Sequence, residues 1–391
     1  MAQKQIYLDH AATTPVAPAV FRKMQPYFNQ KYGNPSSIHG LGQTAAQAIE
    51  KARQQIAVFL NCLSEEIHFT AGATESDNWI IWGLVEKLRF QESINPHIIT
   101  SAIEHKAILE PCQVLLKKGL IRLTILPVNS NGLVSLEDLK KAIKKDTRLV
   151  SIMYANSEIG TIQPISQIGQ LIKKLNPKRK HPIIFHSDAV QAANYLDCSV
   201  DKLGLDSLSL SGHKVYGPKG VGLLYVKKGV KLSPLIRGGG QEKGVRSGTE
   251  NVPGIIGLAE AVSRINQNNK ELKKLRDKLI TGVLRDINQV ELNGSFKDRL
   301  PNNANFSFKG AEGESIVLSL SAKGVFTSTG SACASHSLSP SHVMLALGLS
   351  HEQAHASVRF TLGQQTTSQD IDYLLKILPG IIARLRKISG R

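Results

Sequence analysis

From about residue 66 onward, short apolar runs rich in β-branched residues alternate with longer stretches whose apolar positions recur every three to four residues. The runs at 66–70, 97–101, 121–127, 149–154, 183–186, 207–210 and 221–226 predict strands, and the stretches at 75–90, 107–118, 136–145 and 165–175 predict helices. Strands alternating with helices predict an α/β fold with a mostly parallel central sheet. A glycine-rich stretch at 237–249 is too irregular for either element and reads as a long functional loop. Beyond it, 253–285 has a helical pattern, and strands are expected near 304–308 and 357–361. These residues predict a smaller α+β unit with the boundary near residue 255.

The 391 residues, 41% of them hydrophobic, are too many for one small core and agree with a two-lobed protein. The apolar stretches fall far short of the ~18 residues that a membrane helix needs. The start, MAQKQIYLDHAATTP, has no apolar signal core behind basic residues, which places the expected location in the cytoplasm. Cys62, Cys112, Cys198 and Cys333 are far apart and form no CxxC pair, so neither a disulfide framework nor a metal site is expected. The formal net charge of +17 would assist contact with nucleic acid or an acidic protein. Its runs, at 140–145, 173–180 and 270–278, have helix-like or loop-like spacing and few aromatics, so solvated faces explain them better and nucleic acid is not the expected partner.

In open parallel sheets, ligands bind beyond the carboxyl ends of the strands, and the residues there carry the candidate chemistry. Small residues at 71–73 followed by Thr74 suit a helix start that could hold a phosphate, with Thr74 able to cap it. His105 follows the second strand and Ser157 lies beyond the fourth. Asp188 follows the fifth, where an acid is costly unless it meets a cation or donors. Ser211, His213 and Lys214 lie within four residues after the sixth. A phosphate cradle, an imidazole, a buried carboxylate and an amine at one sheet edge match the needs of pyridoxal phosphate: a lysine that bonds it covalently, an acid for its ring nitrogen, and anion donors. No nucleotide-binding glycine pattern competes.

The motifs at 7–15 (YLDHAATTP), 33–37 (GNPSS), 72–78 (GATESDN), 104–106 (EHK), 211–220 (SGHKVYGPKG), 246–251 (RSGTEN) and 330–334 (GSACA), with Asp188 and Arg359, resemble the cysteine desulfurases of the NifS/IscS type, on the class V aminotransferase fold. The resemblance runs nearly end to end. It implies the fold type I of pyridoxal-phosphate-dependent transferases, with a large cofactor-binding domain over 15–255 and a small domain of 1–14 plus 256–391 that carries the catalytic cysteine loop. It implies that Lys214 bonds the cofactor and moves protons, that Asp188 pairs with the ring nitrogen, and that His105 stacks on the ring. Gln191 would reach the ring's phenolic oxygen, and Thr74, Ser211 and His213 the phosphate. Thr249 would reach the phosphate of a second subunit, which implies a homodimer. Asn34 and Arg359 would grip the carboxylate of L-cysteine, and Cys333 would take its sulfur as a persulfide, leaving L-alanine. A sulfur acceptor such as an iron–sulfur scaffold protein or a tRNA-thiolation protein follows. Ser157 stands where the family usually has a cofactor-contacting Asn. A selenocysteine or cystine lyase on the same fold is the alternative within enzymes, and the loop of Cys333 separates it, since β-elimination needs no protein thiol. A basic nucleic-acid-binding protein is the alternative outside them.

Overall fold

The computed structural model describes residues 5–330 and 340–389. Among these, twelve strands form three sheets: β1 (Ile6–Tyr7), β2 (Ile67–Thr70), β3 (His97–Ser101), β4 (Arg122–Leu126), β5 (Thr147–Ser151), β6 (Ile184–Asp188), β7 (Ser207–Ser211), β8 (Gly222–Val226), β9 (Val290–Leu292), β10 (Asn303–Phe308), β11 (Val325–Phe326) and β12 (Ser357–Thr361). The seven-stranded sheet has the order β2-β8-β7-β6-β5-β3-β4. β3 to β7 are mutually parallel, and β8 runs antiparallel between β2 and β7.

Every residue of β3, β5, β7 and β8 is buried, as strands covered on both faces must be. On one face the helices Gly40–Leu60, Ile165–Leu175 and Val252–Ser263 bring Ile56, Ile172 and Leu258 onto Val150, Phe185 and Leu208. On the other, Ala73–Glu86 and Lys106–Lys117 pack Ile80, Leu84 and Ile108 on Ile98, Leu149 and Leu224. Burying a large aliphatic side chain contributes roughly 1.5–3 kcal/mol, so both helical layers are needed to cover the sheet.

A second core lies on the antiparallel sheet β12-β10-β9, where Phe306, Phe308 and Phe360 meet Leu279, Leu374 and Leu378 from the helices Lys270–Asp286 and Ser368–Ile388. β1 pairs with β11 and Asp9 bridges to Thr361, so the N-terminal residues join this unit before the chain crosses to the large sheet.

The strand pattern meets the structure closely, with three differences. The run expected at 149–154 is a strand only to Ser151, because Ile152 and Met153 leave the ladder toward the end of the sheet. The helical pattern of 253–285 breaks into Val252–Ser263 and Lys270–Asp286. Asn266 accepts from the Asn268 amide at 3.0 Å, and Asn269 donates to the Tyr195 carbonyl at 2.8 Å. Such side-chain bonds compete with helical ones and end the first helix. Third, the 21-residue helix Gly40–Leu60 lies ahead of the alternating pattern that began at 66.

Candidate active site

A cavity of about 620 Å3 opens beyond the carboxyl ends of the central strands. Thr74, His105, Ser157, Asp188, Gln191, Ser211, His213, Lys214 and Arg359 all line it. Asn34 and Thr249 are exposed and do not line it, and Cys333 lies outside the described residues.

Lys214 closes a single turn, Gly212–Lys214, directly after β7, and its Nζ donates to the carbonyl oxygens of Ala11 at 2.6 Å and Ala12 at 2.7 Å. Gln191 donates to the same Ala11 carbonyl at 3.0 Å. The N-terminal segment is therefore one wall of the cavity and sets where the amine sits. His105 caps the helix Lys106–Lys117 by accepting from the Ala107 amide at Nδ1, 3.1 Å. His213 shares Nδ1 with the Thr13 hydroxyl at 3.2 Å, and burial, reinforced by Lys214 and Lys219, pushes its pKa down to about 4.

Asp188 is the last residue of β6, with one oxygen accepting the Val190 amide at 2.9 Å. Burial raises its pKa, while the charges of His105 and Lys214 oppose that rise. A protonated ring nitrogen beside it would supply the missing cation. Two further acids, both missed as site residues from sequence, reinforce the demand. Asp77 lines the cavity at 1% exposure, its oxygens without a hydrogen-bond partner, and burial together with Asp188 raises its pKa well above the usual range. Glu104 is fully buried, accepts the Met153 amide on both oxygens and the Ser101 hydroxyl, and is pushed up to about 8 by burial. Asp77 follows Thr74 by three residues and so shares its helix face, a signal the sequence did hold.

The helix Ala73–Glu86 starts beside Ser211 with Gly72 as its N-cap. Thr74, expected to cap it, is instead its second residue, because the helix starts two residues earlier, with Gly72 as the cap. The first helical amides have no acceptor within the helix and face the cavity's hydroxyl and imidazole donors, a ready anion site. Gly222 in β8 makes this approach possible, since a Cβ there would lie 2.7 Å from the Gly72 Cα.

Arg359, at 2% exposure, donates from Nη1 to the carbonyls of Ser157 (3.1 Å) and Gly330 (3.0 Å) and from Nη2 to Asp9 Oδ1 (2.6 Å). Its Nε has no partner. A guanidinium with an unpartnered Nε–H is suited to pairing with a carboxylate. Ser157 meets this network through its backbone. The neighbouring Asn156 is spent on the turn, accepting from the amides of Glu158 and Ile159. His342, for which the sequence held no signal, also lines the cavity and donates from Nε2 to the Glu104 carbonyl at 2.9 Å.

The donor set fits pyridoxal phosphate. The cavity offers an amine fixed by two carbonyls, a buried carboxylate short of a cation, and open helix amides near Ser211 and His213. The three described cysteines do not compete as nucleophiles: burial pushes Cys62 and Cys112 up to about 12 and Cys198 higher still.

Residues 6–374 match the family model for the class-V aminotransferases. The chain is 50% identical over 391 residues to the cysteine desulfurase IscS of Dictyoglomus turgidum, covering 99% of this chain and 97% of that one. Among solved structures, a NifS-like protein superposes with a TM-score of 0.90 at 39% identity, covering 98% of this chain and all of that one. SspA in complex with cysteine superposes with a TM-score of 0.80 at 38% identity over 92% of this chain and 99% of that one. With the family model spanning all three sheets and every cavity-lining residue described above, the chain belongs to the class-V aminotransferase family.

Proposed function

We propose that this protein is a pyridoxal-phosphate-dependent cysteine desulfurase that converts L-cysteine to L-alanine and passes the sulfur to Cys333. The observation that carries the reading is the convergence of Lys214, His105, Asp188 and Arg359, with its unpartnered Nε–H, on one cavity. When bound, pyridoxal phosphate supplies the electron sink for the pair released at the substrate's α carbon. Lys214 holds it and moves the proton at that carbon. Asp188 keeps the ring nitrogen protonated, and Thr74, Ser211 and His213 hold the phosphate. His105 would stack on the ring, and Gln191 would hydrogen-bond its phenolic oxygen. Ser157 takes the family Asn position with a shorter side chain. Arg359 orients the substrate by its carboxylate, with Asn34 completing the grip.

Cys333 then attacks the substrate sulfur as a thiolate. The new S–S bond forms as the Cβ–S bond breaks, the electron pair and a proton end on Cβ, and the balance is L-alanine plus a Cys333 persulfide. The 49–50% identity to chains named cysteine desulfurase supports this step over a lyase. An iron–sulfur scaffold or a tRNA-thiolation protein is the acceptor we propose. No helix among the described residues is long and apolar enough to cross a membrane, and we place the enzyme in the cytoplasm. We propose a homodimer, with Thr249 serving the partner's phosphate, and a division into a large domain from residue 15 and a small domain that includes 1–14. Because Val252–Ser263 packs on the large core, the chain is better divided in the 264–269 connection than at 255.

The test is to measure alanine and sulfide from L-cysteine with and without a thiol reductant, and to map the persulfide. Wild type should give both products and label at Cys333, and Lys214→Ala should lose turnover and the cofactor's yellow absorbance. Full alanine production by Cys333→Ser would point to a lyase instead.

A further inference from the structure

Two lysine-rich runs, 33 residues apart at their first members, meet in space at the amino ends of β5 and β6, the end of the sheet opposite the cavity. Residues 140–148 and 173–180 together hold ten cations and one acid, Asp146, which is ion-paired with Arg122. The junction is built by Arg179, whose Nη2 donates to the carbonyls of Lys144 (2.8 Å), Lys145 (3.0 Å) and Thr147 (2.9 Å). Arg148 donates to two of the same carbonyls, those of Lys145 and Thr147, at 3.2 Å, and its buried Nε has no partner.

Two guanidiniums thus share acceptors with no carboxylate between them. Burial and the charge of Arg179 both lower the pKa of Arg148, against a counter-pull from Glu92. Around this pair Lys140, Lys141, Lys144, Lys145, Lys178 and Lys180 are exposed, and among the described residues none of the six is ion-paired. Packing like charges together is unfavourable unless an anion resides nearby. The runs, which the sequence alone explained as separate solvated faces, form one surface.

We propose that this surface docks the phosphate backbone of a nucleic-acid duplex without sequence preference. Neither run contains an aromatic residue or an exposed large apolar one. Protein interfaces are depleted in lysine and enriched in aromatic anchors, whereas this surface is rich in lysine and its two runs hold no aromatic residue. Binding of single strands relies on aromatic stacking, and membrane surface binding on inserted apolar groups. Lysines as point charges, by contrast, suit phosphates, whose contacts position a duplex without reading bases.

The cofactor-loaded full chain would be titrated with labelled RNA and DNA duplexes of unrelated sequence across a salt series, and compared with Lys144→Glu/Lys145→Glu/Lys178→Glu/Lys180→Glu. Wild type should bind at least one kind of duplex regardless of sequence, more weakly as salt rises, and the RNA and DNA arms identify which. The variant should lose roughly tenfold or more in affinity and show a shallower salt slope, with turnover of L-cysteine unchanged. The corresponding Lys→Gln set gives the same ordering in a milder form should charge reversal impair folding. Absence of duplex binding at low salt overturns the proposal. So does undiminished binding by a folded variant, or equal affinity for polyglutamate or for phosphatidylserine vesicles at the same salt.

Discussion

Arg359 shows how single residues set this site. Three of its five N–H groups are fixed by two carbonyls and Asp9, which orients the guanidinium in advance and leaves its Nε–H unpartnered. Asp9 is itself held by the backbone, its carbonyl accepting the Tyr7 hydroxyl at 3.0 Å. Asp9 is therefore a positioning residue, and Asp9→Asn, which keeps an acceptor but loses the charge, should raise KM for L-cysteine about tenfold with kcat little changed. Asp9→Glu should recover part of the loss, whereas an equal fall in kcat would mean that Asp9 acts elsewhere. Glu104 gives a second prediction, one of stability. Its pKa is about 8 in the native protein against a usual 4.5, so between those values the folded state holds a proton that the unfolded chain has released. Stability must then fall as pH rises through that window, by an amount on the order of a few kcal/mol once both states are ionised. Denaturant midpoints should decline from pH 5 to 8 in the wild-type protein, and Glu104→Gln, always neutral, should flatten the decline.

At the scale of elements, the glycine-rich loop at 237–249 shows which constraints periodicity conceals. It was legible as a functional loop from its glycines, yet what fixes it is a pair of ion contacts from distant helices. Glu242 takes Arg53 at 2.8 and 2.9 Å and the Phe69 amide at 3.0 Å, and Arg246 clasps Glu75 at 2.8 and 3.2 Å. Glu242 and Arg53 are both buried, and Glu242→Ala leaves Arg53 with the Ile67 carbonyl and the more exposed Glu50 at 3.3 Å as its remaining partners, so the change should cost about 3 kcal/mol. A calorimetric melt would read the loss, together with faster proteolysis in the loop; an unchanged melting temperature would show that the loop is held by other contacts. The same distinction explains what the chain revealed in advance. The strands were legible from their short apolar and β-branched runs between turn signals, although β3, β5, β6 and β7 also bury polar residues such as Ser207 and Ser209. Lys214, Asp188 and His105 were legible because they fall at or just beyond the carboxyl ends of those runs. Asp9 and the carbonyls of Ala11 and Ala12 were not, since backbone oxygens leave no mark on residue type. Their partners lie some 200 to 350 positions away. His342 reached the cavity by a tertiary contact with a backbone oxygen, which no spacing encodes.

At the scale of the whole molecule, the proposed homodimer yields a prediction about how its sites are shared. Thr249 is exposed and does not line the cavity, although the neighbouring Arg246 is docked on Glu75 in the first turn of the helix Ala73–Glu86. The loop thus ends near one protomer's helix while presenting a hydroxyl outward, as a residue must that serves a second copy. Phe28, Tyr32 and Ile38, exposed by 61, 64 and 91%, flank Asn34 in the sequence and are large apolar side chains of the kind a dimer interface buries. If the proposed sharing holds, a protomer with Lys214→Ala and one with Thr249→Ala are each defective alone, yet their heterodimer contains one site with both lesions and one with neither. Co-expressed, differently tagged protomers purified as the heterodimer should regain turnover approaching half that of the wild type per dimer. Homodimers of either variant, handled identically, should not. Heterodimers no more active than the average of the two parent homodimers would place Thr249 in its own subunit's chemistry, or in none.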